Sequence, residues 1–382
     1  MLYRATERVT QKYLPVTGVG TPCFVYRGGM STDTTPQREP RAQSLNTVRE
    51  IIPADCYERP AAPAIRALVR AWGVYAVTFV ALAMVHSWWA VGLLWIAAGF
   101  AVAGLFVLGH DASHGALTSS NKVNRVLARL CMIPSGHVEA AWDLGHNRIH
   151  HGYTTRQGFD FVWHPSTPED YRNLGRIARL QHRIEWSWIG SGVYYLRTVW
   201  WQKMWRFNGQ SKHRGQIIRD KISLGTIIGL AVAALVVVGA LQNGFIGAVW
   251  LPVKLLVVPF LLFVHIIGWT VYVHHVDPSI KWWTRKDWSQ YKGQMESTTV
   301  LEMPRFINWL WFHNIFVHVP HHVDVRIPFH KLPAAARAIE AAYPDTVRRA
   351  RLSFVNYLRA ARQCKLYDFE NSRWLPYSAA RT

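Results

Sequence analysis

A chain of 382 residues that is 50% hydrophobic and only 17% charged carries a formal net charge of +20 and 19 Trp. Its apolar residues gather into long runs with the charges between them, which excludes a string of ordinary soluble domains although the length would permit one. No basic repeat or nucleic-acid module accompanies the positive charge, so it points to a membrane surface and acidic partners rather than to nucleic acid. The four cysteines, Cys23, Cys56, Cys131 and Cys364, are scattered without a CxxC pair; iron–sulfur sites, zinc ribbons and disulfide frameworks are not expected.

In chain order, residues 1–50 are polar, rich in Gly, Pro, Thr and Arg, and predict a disordered tail without a signal-peptide core. Met30, just after Arg27-Gly28-Gly29, is an alternative start to Met1. Apolar runs then cover Ala71 to His86 and Trp88 to Leu108, turning at Ser87, and later Ile222 to Leu241 and Val249 to Val273, parted by Gln242-Asn243-Gly244. A span needs ~20 apolar residues to cross ~30 Å of hydrocarbon. The first run reaches that length if Ala64 to Arg70 is included, with Arg66 and Arg70 snorkelling to the interface. The expectation is an all-α integral membrane protein with four transmembrane helices in two hairpins. Both termini and residues 109–220 then share one side. That segment carries Lys122, Arg125, Arg129, Arg148, Arg156, Arg172, Arg176, Arg179 and Arg183, whereas the hairpin tips carry almost no cations. The positive-inside rule makes the shared side cytoplasmic. Residues 181–207 mix Trp186, Trp188, Tyr194, Tyr195, Trp200, Trp201 and Trp205 with Arg and Lys, which predicts an amphipathic helix lying on the membrane.

Three histidine clusters lie just beyond the spans. His110 and His114 form an HxxxH, His146, His150 and His151 an HxxxHH, and His318, His321 and His322 an HxxHH. On an α-helix, residues three or four apart share a face, so each cluster can aim its imidazoles at one place. A lone HxxxH is usually a coincidental surface pair. Eight imidazoles gathered on one side of the membrane exceed what one metal accepts, and two metals are implied. Imidazole suits iron, zinc, copper and nickel alike. Few carboxylates lie inside the clusters, unlike a carboxylate-bridged bundle site. A transporter relaying metal through histidines would carry them within its spans, whereas these lie at the ends.

The boxes HDASH, HNRIHH and HVPHH, in this order and spacing relative to two hairpins, resemble the three His boxes of membrane fatty acid desaturases. Ile52 to Arg59, Tyr272 to Pro278, and His322 through Phe329 and Leu332 resemble segments of the omega-6 (Δ12) acyl-lipid branch. The likeness covers about residues 50–345 and divides the chain into a tail (1–50), a membrane and catalytic domain with a cytosolic helical cap (51–345) and a C-terminal cytosolic tail (346–382). Box two has one residue more than the HxxHH common in that branch. The resemblance implies two Fe ions held by the eight box histidines and by His275 as ninth ligand, with His274 the alternative. It implies O₂ as co-substrate and a cis double bond formed in a long acyl chain on a lipid, on CoA or on a carrier protein. Without a fused His-Pro-Gly-Gly haem motif, electrons are expected from a ferredoxin or a cytochrome b5-like partner. Ligating histidines require orienting neighbours, for which Asp111, Asn314, Asp160 and Asp324 are candidates; Trp142, Phe159 and Trp309 are candidate walls of an acyl tunnel. Hydroxylases, acetylenases and carotenoid ketolases share such boxes. His110 to Gly115 also resembles the first ketolase box, but that group's Asn-x-His-x-x-His-His third box is missing here.

Overall fold

The computed structural model describes residues 43–381, in which two apolar helices, Ala61–Met84 and Trp88–Ser113, are separated by a short uncharged turn at residues 85–87. By length and composition these two helices, together with the helical stretch Lys212–His275, could each cross a membrane. The last is interrupted: Asn243 (φ −143°, ψ 30°) and Gly244 (φ 59°, ψ −144°) leave helical geometry. A methyl group on Gly239 would strike the carbonyl of Gly247, although residues eight apart in a continuous helix lie about 12 Å from each other. The chain therefore doubles back at Gln242-Asn243-Gly244, where glycine tolerates the positive φ.

Trp88–Ser113 is the central helix, and nearly all of its second half is buried. Two glycines let its neighbours approach. A Cβ on Gly99 would lie 2.8 Å from Leu262 Cβ, and one on Gly104 would lie 3.2 Å from the Trp311 carbonyl. Such small residues are how apolar helices come close where no hydrophobic effect drives them together. Ala61–Met84 instead leaves Val69, Val77, Val80 and Met84 exposed, as a lipid-facing helix would.

At the far end of this assembly a cation is shut inside. Lys254 is 2% exposed, and its Nζ donates to the carbonyls of Val85 (2.6 Å) and Ala83 (3.4 Å). Those carbonyls end the Ala61–Met84 helix and have no partner within it. The Lys254 carbonyl accepts from Trp95 Nε1 at 2.9 Å, so one residue ties the last helical stretch to both earlier helices.

Several expectations change. Ser44 caps a helix at Leu45–Ile51, whose Leu45 and Val48 pack with Val319, Val323 and Leu332, so the polar tail drawn to residue 50 overruns an ordered element; residues 1–42, with Met30 and Cys23, lie outside the described residues. The fold is mainly helical but not all-α. Thr299–Glu302 pairs in parallel with Arg348–Arg351, and Leu366–Asp368 pairs antiparallel with Arg373–Leu375. Residues 346–381 are accordingly packed on the body, with Tyr357 and Cys364 buried beside Trp163 and Tyr272. The single amphipathic helix expected over 181–207 is broken into Arg176–Glu185, Ser191–Tyr194 and wide π turns at Tyr195–Trp205. Its aromatics turn inward because their polar edges find partners there: Trp200 and Trp205 both donate to the Gly136 carbonyl, and Tyr194 donates to the Phe161 carbonyl. Only some of its aromatics, Trp188 and Trp201 among them, remain exposed.

Lys254→Met keeps the length and apolar stem but leaves two buried carbonyls unpaired, which costs about 1–3 kcal/mol. A lowered melting temperature in detergent is expected, with the metal content of the folded protein unchanged; an unaltered melting curve would show that the Lys254 bonds contribute nothing.

Candidate metal centre

Four chain segments meet at the opposite end: the C-terminus of Trp88–Ser113, the turns at Leu144–His150, the C-terminus of Val258–His275 and the short helix His318–Val323. They bring together two sets of imidazoles whose nitrogens lie within 4.8 Å of one another in each set: His110, His114, His146, His151 and His321 in one, His150, His275 and His322 in the other. His318 adjoins the second set, its ring centre 4.6 Å from that of His322 and 5.3 Å from that of His275.

The second box does not share a face in the α-helical manner. Residues 144–150 are wound as a π-helix, and the His151 N–H bonds to the His146 carbonyl at 2.9 Å. Successive α-helical residues turn by about 100°, which would set residues five apart on different faces. The i→i+5 bond stacks them instead, a local widening frequent at functional sites. His146 and His151 thus bring their Nε2 atoms to 3.1 Å, and His146 Nε2 is 3.0 Å from His110 Nε2. His150 is released to the other set. The third box divides in the same way, His321 to one set and His322 to the other.

The second set shows how the rings are held. His150 Nδ1 lies 3.1–3.2 Å from both Asp160 oxygens. His275 Nδ1 bonds the Ser297 carbonyl (3.0 Å), His318 Nδ1 the Ile315 carbonyl (3.0 Å), and His322 Nδ1 the Gln294 Oε1 (2.8 Å). Each of these partners only accepts, so Nδ1 is the ring nitrogen that donates and Nε2 is left to face the neighbouring imidazoles. Nε2 of His275 and His322, and both ring nitrogens of His114 and His321, are buried without a partner. Burial, and then neighbouring imidazoles, holds His114, His146, His151, His318, His321 and His322 well below the ordinary imidazole range. Unpartnered, convergent nitrogens in two such sets could hold metal ions.

The expected orienting residues fare unequally. Asp160 is 1% exposed and also accepts from the backbone N–H of Thr155 and Val162, which fixes its carboxylate beside His150. Asp111 accepts from the Phe329 N–H at 2.8 Å and stands 3.7 Å from His110 Nδ1. Asn314 bonds Asn308 and the Phe329 carbonyl, and Asp324 bonds Arg326 and Tyr57; neither touches an imidazole. Gln294 is not among the residues expected from the sequence. It accepts from His322 and donates to the His151 carbonyl at 2.6 Å, a role no sequence spacing advertises. His274 lies outside both sets, stacked on His318 at 3.8 Å between ring centres with its Nε2 buried and unpartnered.

Beside the histidines runs an apolar cavity walled by Phe106, Trp142, Phe161, Val199, Ile267 and Ile315, with His110, His146, His150, His275 and His318 along it. Trp142 stacks on His146 at 4.2 Å. Phe159 and Trp309 are not among the lining residues. Inward-facing Asp160 turns its neighbour Phe159 outward, under the Arg156 guanidinium at 4.4 Å, and Trp309 is exposed beneath Arg70 at 4.3 Å. Phe161 occupies the wall position expected of Phe159.

Comparison with known sequences agrees with this geometry. The sequence model of a family described as fatty acid desaturase matches residues 86–352. The chain is 26% identical over 340 residues to an sn-1 oleoyl-lipid 12-desaturase of Synechocystis, covering 89% of this chain and 93% of the relative. It is 30% identical over 253 residues to an sn-1 oleoyl-lipid 12-desaturase of Arthrospira platensis, covering 65% of this chain and 68% of that one. It is 25% identical over 339 residues to a chloroplastic omega-6 fatty acid desaturase of Arabidopsis thaliana, covering 88% and 72% respectively.

Removing the acceptor that orients a ligating histidine lowers metal affinity about 10–100-fold. Asp160→Asn is therefore expected to release metal to a competing chelator at correspondingly lower chelator concentration, while Asp324→Asn behaves as the parent. Equal retention in the two variants would remove Asp160 from the site.

Proposed function

The chain belongs to the fatty acid desaturase family, and from that premise we propose that it introduces a cis double bond at position 12 of an oleoyl chain carried on a membrane lipid. It is an oxidoreductase by family. The observation that carries the chemistry is the pair of imidazole sets, His110, His114, His146, His151 and His321 beside His150, His275 and His322 with His318 adjoining, lying along an apolar cavity; the position and the carrier follow the relatives named sn-1 oleoyl-lipid 12-desaturase. Nine imidazoles suit two iron ions. When bound, these would supply, with O₂, the oxidant for an unactivated C–H bond, a reaction for which no side chain has the chemistry.

The protein's part is placement. Phe106, Trp142, Phe161 and Ile267 can hold a methylene chain against the histidines and keep water out, and the Nδ1 acceptors Asp160, Ser297, Ile315 and Gln294 keep the ligand nitrogens aimed. His275 is the ninth ligand in this reading, since its Nε2 joins a set and that of His274 does not. The reversal at Gly244 supports four spans in two hairpins, and the basic 109–220 segment supports a cytoplasmic site and cytoplasmic termini. Electrons would come from a separate ferredoxin or cytochrome b5-like protein.

Expression in a host with simple lipids, followed by analysis of fatty acid methyl esters, should yield a new 9,12-diene and about two Fe per purified chain. His275→Ala should make none and lose iron, while His274→Ala keeps substantial activity. A hydroxylated or triple-bonded product would reassign the outcome within the superfamily, and stoichiometric zinc without iron would remove the mechanism altogether.

A reporter inserted after Asn243 should read as extracytoplasmic and one after Thr382 as cytoplasmic. The reverse pattern would put the histidines on the side away from any cytosolic donor.

A further inference from the structure

Four electrons reduce O₂ to two waters, and forming one C=C bond by breaking two C–H bonds yields only two of them. In the desaturase reading, each turnover takes up two more electrons and two protons from outside. His150, His275 and His322 are all buried, so electrons bound for that set must enter through protein.

One route is marked by its contacts. Trp283 follows the last apolar helix by eight residues and is 8% exposed. Its Nε1 donates to Ser297 Oγ at 3.2 Å, and the carbonyl of the same Ser297 accepts from His275 Nδ1 at 3.0 Å. Its backbone N–H donates to the Thr155 carbonyl (3.0 Å), and the Thr155 N–H donates to the Asp160 carboxylate (2.8 Å) that holds His150. A single indole is thus one residue removed from His275 and two from His150, both in the same set. Outside, cations frame the ring: Lys292 Nζ stands 4.5 Å and Lys281 Nζ 5.6 Å from its centre. Arg156 pairs its backbone with Trp283 and, with Arg285, covers the exposed ring of Phe159 at 4.4 and 5.0 Å. Lys286 is exposed next to Arg285. The carboxylates nearby are Asp287, bonded to the Thr284 hydroxyl, and Glu296, which faces Lys281 and Lys292. Cations therefore outnumber carboxylates on a face that also exposes an aromatic ring, and such a one-sided charge attracts and orients an acidic partner.

Building on the desaturase reading, we propose that this face, formed by Lys281, Arg285, Lys286, Lys292 and Arg156, docks an acidic one-electron carrier protein, and that Trp283 is the contact through which the electron passes toward His275. Two encounters serve one turnover, each oxidising one carrier by one electron. The complementary charge steers the carrier and sets its orientation. An anionic bilayer would attract the same cations, but a lipid surface has no use for an indole bonded to the support of a buried histidine.

The test uses the iron-loaded full chain in detergent with two probes, a [2Fe–2S] ferredoxin and a soluble cytochrome b5 haem domain. Binding is read from the dissociation constant at two salt concentrations, and electron entry from the oxidation rate of the bound reduced carrier. A single turnover after dithionite reduction and admission of air serves as the carrier-free reference. Lys281→Glu/Arg285→Glu should weaken binding of the carrier that supports turnover by about tenfold or more and flatten its salt dependence. Iron content and the dithionite turnover should stay at the wild-type level. Trp283→Leu should bind the carrier as the wild type does, keep its iron and accept electrons more slowly. Unchanged binding in the charge-reversed pair, or loss of anionic-vesicle binding in place of carrier binding, would overturn the assignment of this face. A dithionite turnover that falls with the carrier rate in Trp283→Leu would reduce that residue to a structural one. If neither carrier binds the wild type while dithionite still yields the double bond, only the docking inference fails; if dithionite yields no product, the desaturase reading fails.

Discussion

Imidazole nitrogens withdrawn from water, with little but one another to face, are the constraint around which this molecule is built. A buried polar atom without a partner is unfavourable by about 1–3 kcal/mol, and six such nitrogens belong to His114, His275, His321 and His322 alone. Packing elsewhere must offset that cost, and a close-packed helical body does so. The central helix Trp88–Ser113 is buried through its second half and carries His110 at its last turn. Val258–His275 packs along it and ends in His275. The rigid ends of apolar helices are where such nitrogens can be aimed without loops having to be ordered for the purpose.

The two imidazole sets touch, with His151 and His322 stacked at 4.3 Å, and are interleaved along the chain. The π turn at Leu144–His150 sends His146 and His151 to one set and His150 to the other. Neighbours His321 and His322, with rings at 89° to each other, are likewise divided. A shift of either segment would disturb both sets together. The supports are shared too: Gln294 accepts from His322 of one set and holds the backbone of His151 of the other. Such coupling makes the two sets one rigid unit, so that metal ions held by them would not shift independently.

The same economy links the interior to the surface. Segment 292–298 supplies Gln294 and Ser297 to the histidines and meets Trp283 on its other side. Asp160 faces His150 while its neighbour Phe159 faces outward between two guanidinium groups. Polar atoms with fixed partners inside and cations outside thus lie within a residue or two of each other.

Much of this was legible in the sequence. Apolar runs, the uncharged turn at Ser87, the Gln242-Asn243-Gly244 break and the three histidine boxes are local signals, set by hydrophobicity and spacing, and the chemistry followed from the resemblance of those boxes to the desaturases'. What spacing could not supply was the winding of the second box, because an α and a π turn share the same residues and differ only in which carbonyl each N–H meets. Nor could it supply Gln294 and Ser297, which act on histidines far away in the chain, or tell Phe161 from Phe159 as the cavity wall. The 181–207 stretch reads as a membrane-surface helix because Trp beside Arg suits an interface, yet the Gly136 carbonyl, some 65 residues away, draws Trp200 and Trp205 inward. Periodicity and composition are properties of neighbours in the chain. Partner choice for a buried polar atom is a property of neighbours in space, and only the tertiary structure decides it.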